Sequence, residues 1–158
     1  MKIKKVFQLI LAIIIAESAG VIGSVFTVGA IPVWYSTLNK PSFNPPNWLF
    51  GPVWTILFVL MGIAAFLIWQ RGWKKLEVKN ALKIFLSQLI LNTLWSILFF
   101  GLHSPTAAFL EIIALWLLIL ATIISFWKIS RPAAYLLFPY ILWVTFAAFL
   151  NLTIVFLN

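Results

Sequence analysis

The chain contains no cysteine. Disulfides and thiolate metal sites are therefore excluded, and nothing marks the redox state of its compartment. Carboxylates are nearly as scarce: Asp and Glu together number 3, against 11 Lys and Arg. His103 is the single histidine. One imidazole in a short loop cannot supply the ligand set of a structural zinc site, nor the base of a Ser–His–Asp triad at a membrane rim. It reads as a solvated loop residue, with axial ligation of a haem as the weaker alternative. There is no G-x-x-x-x-G-K-[ST], no G-x-G-x-x-G and no H-E-x-x-H, so phosphate cradles and zinc-protease helices have no candidate. Internal repeats and inverted transporter-like halves are also missing.

What is present is apolar. Hydrophobic residues make up 64% of the 158 positions and mean hydropathy is +1.11, more apolar surface than a soluble domain of this size could hide, so lipid must solvate most of it. The net charge of +8 and pI near 10.1 would point to nucleic acid in a soluble protein. Here the charges sit in short loops, where they set topology instead, and no nucleic-acid partner is expected. The N-terminal MKIKK and the apolar run behind it look at first like a signal peptide. The run from Val6 to Val28 is too long for that, and no small-residue cleavage site follows, so a retained membrane helix is expected.

Five spans satisfy the hydrophobic length criterion: Val6–Val28, Leu49–Trp69, Ala81–Gly101, Ala107–Trp127 and Ala133–Leu157. The expected fold is an all-α integral membrane protein, one domain over residues 1–158, built as a five-transmembrane-helix bundle. The breaks carry loop chemistry: a proline-rich loop, RGWKKLEVK, LHSP and KISRP. With five spans, every basic residue except Lys40 falls on one side: Lys2, Lys4 and Lys5, then Arg71, Lys74, Lys75, Lys79 and Lys83, then Lys128 and Arg131. The positive-inside rule then makes the N-terminus cytoplasmic and places the C-terminus and the proline-rich loop outside.

That loop, Gly29 to Asn47, is the long structured outer loop between helices 1 and 2. Pro41, Pro45 and Pro46 fix φ and remove backbone donors, so Lys40–Pro46 cannot be helical. Pro32 with these three, together with Trp34, Tyr35 and Phe43, argues for an ordered lid. Asn47 is the expected cap of the following helix, with Pro52 tolerated in its first turn. Pro139 is expected to free the Tyr135 carbonyl and kink the fifth span.

The 9 tryptophans need a bland explanation first. Trp34, Trp48, Trp69, Trp73 and Trp127 lie at span ends and read as an interfacial belt. Trp54, Trp95, Trp116 and Trp143 lie within spans. Helix rise puts Trp54 roughly 8 Å and Trp95 roughly 9 Å below the outer ends, Ala147 roughly 15 Å down, and Trp143 near the middle. If Trp54, Trp95 and Trp143 face inward, they line one cavity under the lid; otherwise they pack in the core or against lipid. Asn92 and Trp95 share a helix face, with Ser87 and Gln88 one turn deeper, and Trp143, Ala147 and Asn151 form one stripe. Such a stripe suits a flat apolar guest with a polar edge, or else the amides serve interhelical hydrogen bonds. Glu17 and Glu111 are carboxylates inside spans and functional candidates on that ground. The spacing Ala12, Ala16, Gly20, Ser24 allows close helix approach or leaves room for a ligand.

The segment WYSTLNKPSFNPPNWLFGPVWTILFVLMGIAAFLIW, then LNTLWSILFFG, Glu111 and RPAAYLLFPYILWVTFAAFLN, resembles the translocator protein / tryptophan-rich sensory protein (TspO/MBR, peripheral-type benzodiazepine receptor) family over essentially the whole chain. The resemblance implies a five-helix bundle with a lid, often homodimeric, binding porphyrins such as protoporphyrin IX, haem-type tetrapyrroles and other flat hydrophobic molecules as ligands rather than cofactors. It implies a pocket of Ser24, Tyr35, Trp54, Phe58, Asn92, Trp95, Trp143, Phe146 and Ala147, with no metal. In members that degrade porphyrin under light and oxygen, Trp54 and Trp143 would be the catalytic pair. Bacterial members imply the inner (plasma) membrane. The animal cholesterol motif needs a Tyr and a basic residue after the Leu-Asn pair of the last helix. Here Leu150 and Asn151 are followed by LTIVFLN, so sterol binding by that motif is not expected. A binding sensor or carrier, a photo-oxidative porphyrin-degrading enzyme and a small-molecule transporter are the competing functions.

Overall fold

The computed structural model describes residues 2–158. Helix α1 spans Lys2–Val33, α2 Asn47–Trp69, α3 Leu76–Ser96, α4 Pro105–Ile129, α5 Arg131–Tyr135 and α6 Phe138–Leu157. A π-helical turn, Ile97–Gly101, continues α3, and a single 3₁₀ turn, Tyr35–Thr37, follows α1. With α5 and α6 taken as one span, 5 segments are long and apolar enough to cross a bilayer. The described residues contain no strand. The expected all-α five-helix membrane bundle is what the chain forms.

The helix ends differ from the expected ones for local reasons. Helix α1 runs through Gly29 and Pro32 to Val33, so the lid starts at Trp34 and ends at Pro46. Pro32 lies in the final turn, where one lost backbone donor is tolerated. Beyond it, Trp34 N–H still donates to Ala30 C=O at 2.9 Å, and Ser36 Oγ–H reaches Pro32 C=O at 2.9 Å. Asn47 does not cap α2. Pro46 occupies the cap position without a side-chain bond, and Leu49 N–H closes the first turn on Pro46 C=O at 3.0 Å. Helix α3 begins at Leu76, because its first turns carry Glu77 and Lys79 and so escape a purely apolar criterion. Ser104 caps α4, accepting from Ala107 N–H at 3.4 Å, with Pro105 at the first helical position.

Pro139 acts as expected. The fifth span is interrupted at Leu136–Leu137, and helical bonding resumes with Ile141 N–H on Leu137 C=O at 3.1 Å. Without a proline N–H, the Tyr135 carbonyl loses its helical partner.

Small residues set the packing. Gly62 lies against α1 so closely that a Cβ would stand 2.5 Å from Ile13 Cα. One turn nearer the lid, Gly20 is covered by the Phe58 ring. Helix α3 runs beside α1, with Thr93 Oγ–H donating to Ala19 C=O at 3.1 Å and Gly23 facing Ser96. Phe85 and Phe126 stack at 5.9 Å between α3 and α4, and Trp116 Nε1–H donates to Thr145 Oγ1 at 2.8 Å between α4 and α6. The core of Met61, Ile68, Phe85, Ile119 and Phe126 fills the half of the bundle remote from the lid. The space lies in the other half.

Candidate functional site: a tryptophan-walled cavity under the lid

A cavity of about 470 Å³ opens beneath the lid, walled by α1, α2, α3, α4 and α6. Helices α1 and α2 touch near Gly62 and Gly20 and part toward the lid, which creates the room. Gly51, on the parted stretch of α2, has nothing within 4 Å of where a Cβ would sit.

The aromatic walls come from three helices. On α2, Trp54 stacks on Phe58 with centroids 5.5 Å apart and meets Tyr140 edge-on at 6.1 Å. On α3, Trp95 stacks on Phe99 at 5.0 Å. On α6, Trp143 is held edge-on by Phe50 at 6.4 Å. Their neighbours fix each indole while a face or edge is left to the cavity. Trp54, Trp95 and Trp143 all face inward, the alternative of lipid-facing rings being excluded by their place in the lining.

The polar groups are arranged by two networks. Asn92 Nδ2–H donates to Tyr140 Oη at 2.9 Å, and Tyr140 O–H donates to Gln88 Oε1 at 2.7 Å. Gln88 turns its amide N–H to Met61 Sδ at 3.7 Å. This chain is buried, and it orients Asn92 so that its oxygen carries no protein donor. In the second network Trp95 Nε1–H donates to Asn151 Oδ1 at 3.1 Å, and Asn151 Nδ2–H donates to Pro105 C=O at 2.8 Å. Asn151 therefore braces α3, α4 and α6 together, with both ends of its amide committed to protein partners. Of the two readings open for these amides, Asn151 takes the interhelical one, while Asn92 bonds across helices and also borders the cavity.

The lid closes the top. Tyr35 is 3% exposed. Its O–H donates to Asn44 Oδ1 at 2.6 Å, and its ring lies 4.9 Å under Lys40 Nζ. The same ammonium donates to the Tyr35 and Leu38 carbonyls, both at 2.8 Å. Burial pushes the Tyr35 phenol above its ordinary range. Asn39 and the end of α6 exchange further bonds.

Of the residues singled out from sequence, Ser24, Tyr35, Trp54, Phe58, Asn92, Trp95, Trp143 and Ala147 line the cavity. Phe146 does not. It packs against Trp143 at 5.6 Å and the lid's Phe43 at 6.3 Å, supporting the wall from behind. Trp48, placed in the interfacial belt, is 71% exposed and also borders the cavity mouth. His103 lies outside the lining, its ring parallel to Trp34 at 4.5 Å. Glu111 also lies outside, both oxygens shielded and without a hydrogen-bond partner among the described residues. Glu17 lies inside. Phe50, Thr27, Thr55 and Ser96 join the lining without having been foreseen. Helical spacing from Trp54 and Asn92 would have pointed to Phe50 and Ser96. The described residues hold no cluster of His, Cys, Asp or Glu fit for a metal.

Comparison with known proteins agrees with this architecture. The profile of the TspO/MBR family matches residues 11–157. The tryptophan-rich protein TspO of Chlorobaculum tepidum is 47% identical over 155 residues, covering 98% of each chain. Its namesake in Archaeoglobus fulgidus is 44% identical, covering 97% of this chain and 98% of its own. The translocator protein of Ovis aries is 36% identical over 140 residues, covering 87% of this chain and 82% of its own. With its five spans, its lid and these matches, the chain belongs to the TspO/MBR family.

Proposed function

We propose that the cavity binds a flat, largely apolar tetrapyrrole, protoporphyrin IX or a haem-type relative, and that the protein acts as its membrane sensor or carrier. The observation that carries the reading is the convergence of Trp54, Trp95 and Trp143 from three helices on one space of about 470 Å³. That volume falls within the range of about 300–1,000 Å³ common for small-molecule sites, and aromatic faces stack on planar π-systems. A guest in such a slot quenches indole emission. Titration of the purified protein with protoporphyrin IX is expected to give saturable quenching, weakened at least about tenfold in a Trp54→Ala, Trp143→Ala variant, as loss of two stacked rings implies. Unchanged affinity in that variant would sink the reading.

Light- and oxygen-dependent degradation of protoporphyrin is the second reading. It draws on the same two indoles, Trp54 and Trp143, which border the cavity and make no hydrogen bond through Nε1 among the described residues. The porphyrin supplies the photochemistry, and the protein holds an oxidisable ring beside it. Illumination of the complex under oxygen decides the matter: bleaching no faster than that of free porphyrin in detergent leaves only binding.

The same proposal puts the protein in a bacterial inner membrane with its N-terminus cytoplasmic and its lid outside, an orientation that the distribution of basic residues supports. Guests bearing carboxylates would then meet the lid end first.

A further inference from the structure

Helix α1 contributes one stripe to the cavity: Glu17, Gly20, Ser24, Thr27 and Ile31. Glu17 is the carboxylate in that lining, about 24 Å below the lid end of α1 by helix rise. The residue is partly exposed, but its Oε1 is shielded from solvent and has no hydrogen-bond partner among the described residues. An acid left without a partner at this depth is costly, unless something that enters the cavity completes it.

The rest of the polar lining shows what that guest must bring. Ser24 commits its hydroxyl proton to Val21 C=O at 2.7 Å, Thr27 to Gly23 C=O at 3.1 Å and Thr55 to Gly51 C=O at 3.0 Å. Each keeps only lone pairs for a guest. Asn92 commits one N–H to Tyr140 and keeps its oxygen and its second N–H. Trp95 N–H and both ends of Asn151 are committed to protein partners. Other donors left free in the lining include the Ser96 hydroxyl and the indoles of Trp54, Trp143 and, at the mouth, Trp48; Trp54 is only about 10 Å into α2 from its lid end. Along α1 the polar lining thus offers acceptors alone, the deepest of them the Glu17 carboxylate. The one lysine near the opposite end, Lys40, is held by the lid.

We propose that Glu17 is the deep polar anchor of the cavity, and that the slot selects flat guests whose leading edge carries a positive nitrogen or an N–H donor, leaving acidic groups at the lid end. The inference rests on the planar-guest reading given above and adds a direction and a charge preference to it. A positive nitrogen entering the slot meets Glu17 in a water-poor setting and is held by a charge-assisted bond. An anionic edge driven equally deep along α1 meets like charge.

Two three-ring probes of the same shape test it: 9-aminoacridine, a planar cation, and anthracene-9-carboxylate, a planar anion. Both are followed by fluorescence in the detergent-solubilised full chain. Glu17→Gln is expected to weaken 9-aminoacridine about tenfold, the difference between a charged and a neutral hydrogen bond, and to leave the anion unchanged or tighter. Glu17→Asp should restore part of the loss. Glu111→Gln, outside the cavity, should leave both probes unchanged. Thermal transitions of the variants confirm that each is folded. If 9-aminoacridine affinity survives Glu17→Gln but falls in Trp54→Ala, Trp143→Ala, the slot stands and the anchor is overturned. If neither change affects either probe, the planar-guest reading falls, and this inference with it.

Discussion

Asn39 and Asn158, 119 positions apart, exchange hydrogen bonds across the rim of the bundle. Asn39 N–H donates to Asn158 Oδ1 at 2.9 Å, and Asn158 Nδ2–H donates to Asn39 C=O at 3.0 Å. The Asn39 side chain adds a bond to Leu157 C=O at 3.2 Å. One asparagine amide thus imitates a strand partner for the lid and ties it to the end of α6. Asn158→Ala removes both of its bonds to the lid, each worth about 1 kcal/mol net. Proteolysis between Trp34 and Asn47 is expected to become roughly tenfold faster in this variant, while the thermal transition of the bundle moves little. Equal cleavage rates would show that the lid is held elsewhere, for instance by Tyr35.

Close approach of α1 and α2 leads to a second expectation. A Cβ at Gly62 would collide with Ile13 backbone atoms, which cannot rotate away. Gly62→Ala should therefore lower stability by about 1–3 kcal/mol, as overpacking does, and a lowered melting temperature in detergent would register it. Gly20→Ala meets only the Phe58 ring, a side chain able to swing. That substitution should reduce cavity volume and porphyrin affinity more than stability.

The buried chain Asn92–Tyr140–Gln88 depends on a single phenol. Tyr140→Phe strips a donor from Gln88 and an acceptor from Asn92 while preserving shape. The expected loss is about 1–3 kcal/mol for buried groups left without partners. Guest affinity should change too, because Asn92 is then free to turn. A variant as stable as the parent, with the same affinity, would mean that other groups take over both bonds.

Tyr35 offers a pH-dependent readout. Burial raises its phenol above the ordinary value of 10.0, so the folded lid retains a proton that the unfolded chain has lost. This contribution to stability is complete below about pH 10 and diminishes as pH climbs through the raised value. Absorbance titration at the tyrosinate band should lose one phenol from its late-ionising part in Tyr35→Phe, the fully buried Tyr140 remaining in both. A variant that instead loses an early-ionising phenol would contradict the burial argument.

Because the chain lacks cysteine, orientation can be tested with single introduced thiols. Ser42 is exposed on the lid and Lys74 is exposed between α2 and α3. In intact cells a membrane-impermeant maleimide should label Ser42→Cys, and Lys74→Cys only after permeabilisation. The reverse pattern would invert the topology drawn from the basic residues.

Much of this molecule can be read from its sequence because lipid imposes a simple rule: uncharged stretches of sufficient length become helices. Depth along those helices is enough to put Trp54, Trp95 and Trp143 in the outer to middle part of the membrane. Rotation about each axis was harder. Phe146 was placed in the cavity, yet it points to the lid's Phe43, since one step along a helix turns a side chain by about 100°. Helix ends were hidden where punctuation residues are tolerated, as at Gly29 and Pro32, or where charged turns project beyond the apolar zone, as at Glu77 and Lys79. The bracing role of Asn151 depends on partners at Trp95 and Pro105, positions that only tertiary packing brings near.

The π-helical turn Ile97–Gly101 at the end of α3 also sets the lid's seat. Wide turns of this kind take up one residue more than an α-helical turn of the same rise. Phe99 and Phe100 both reach ring partners there, Phe99 meeting Trp34 at 5.5 Å and Phe100 meeting Tyr35 at 5.7 Å. Shortening the segment by a single residue would restore ordinary winding within it and change which rings it presents to Trp34 and Tyr35. The phenylalanines could then no longer both serve as bearings for the cap, so length here, more than side-chain identity, is what evolution or an engineer would find hardest to alter.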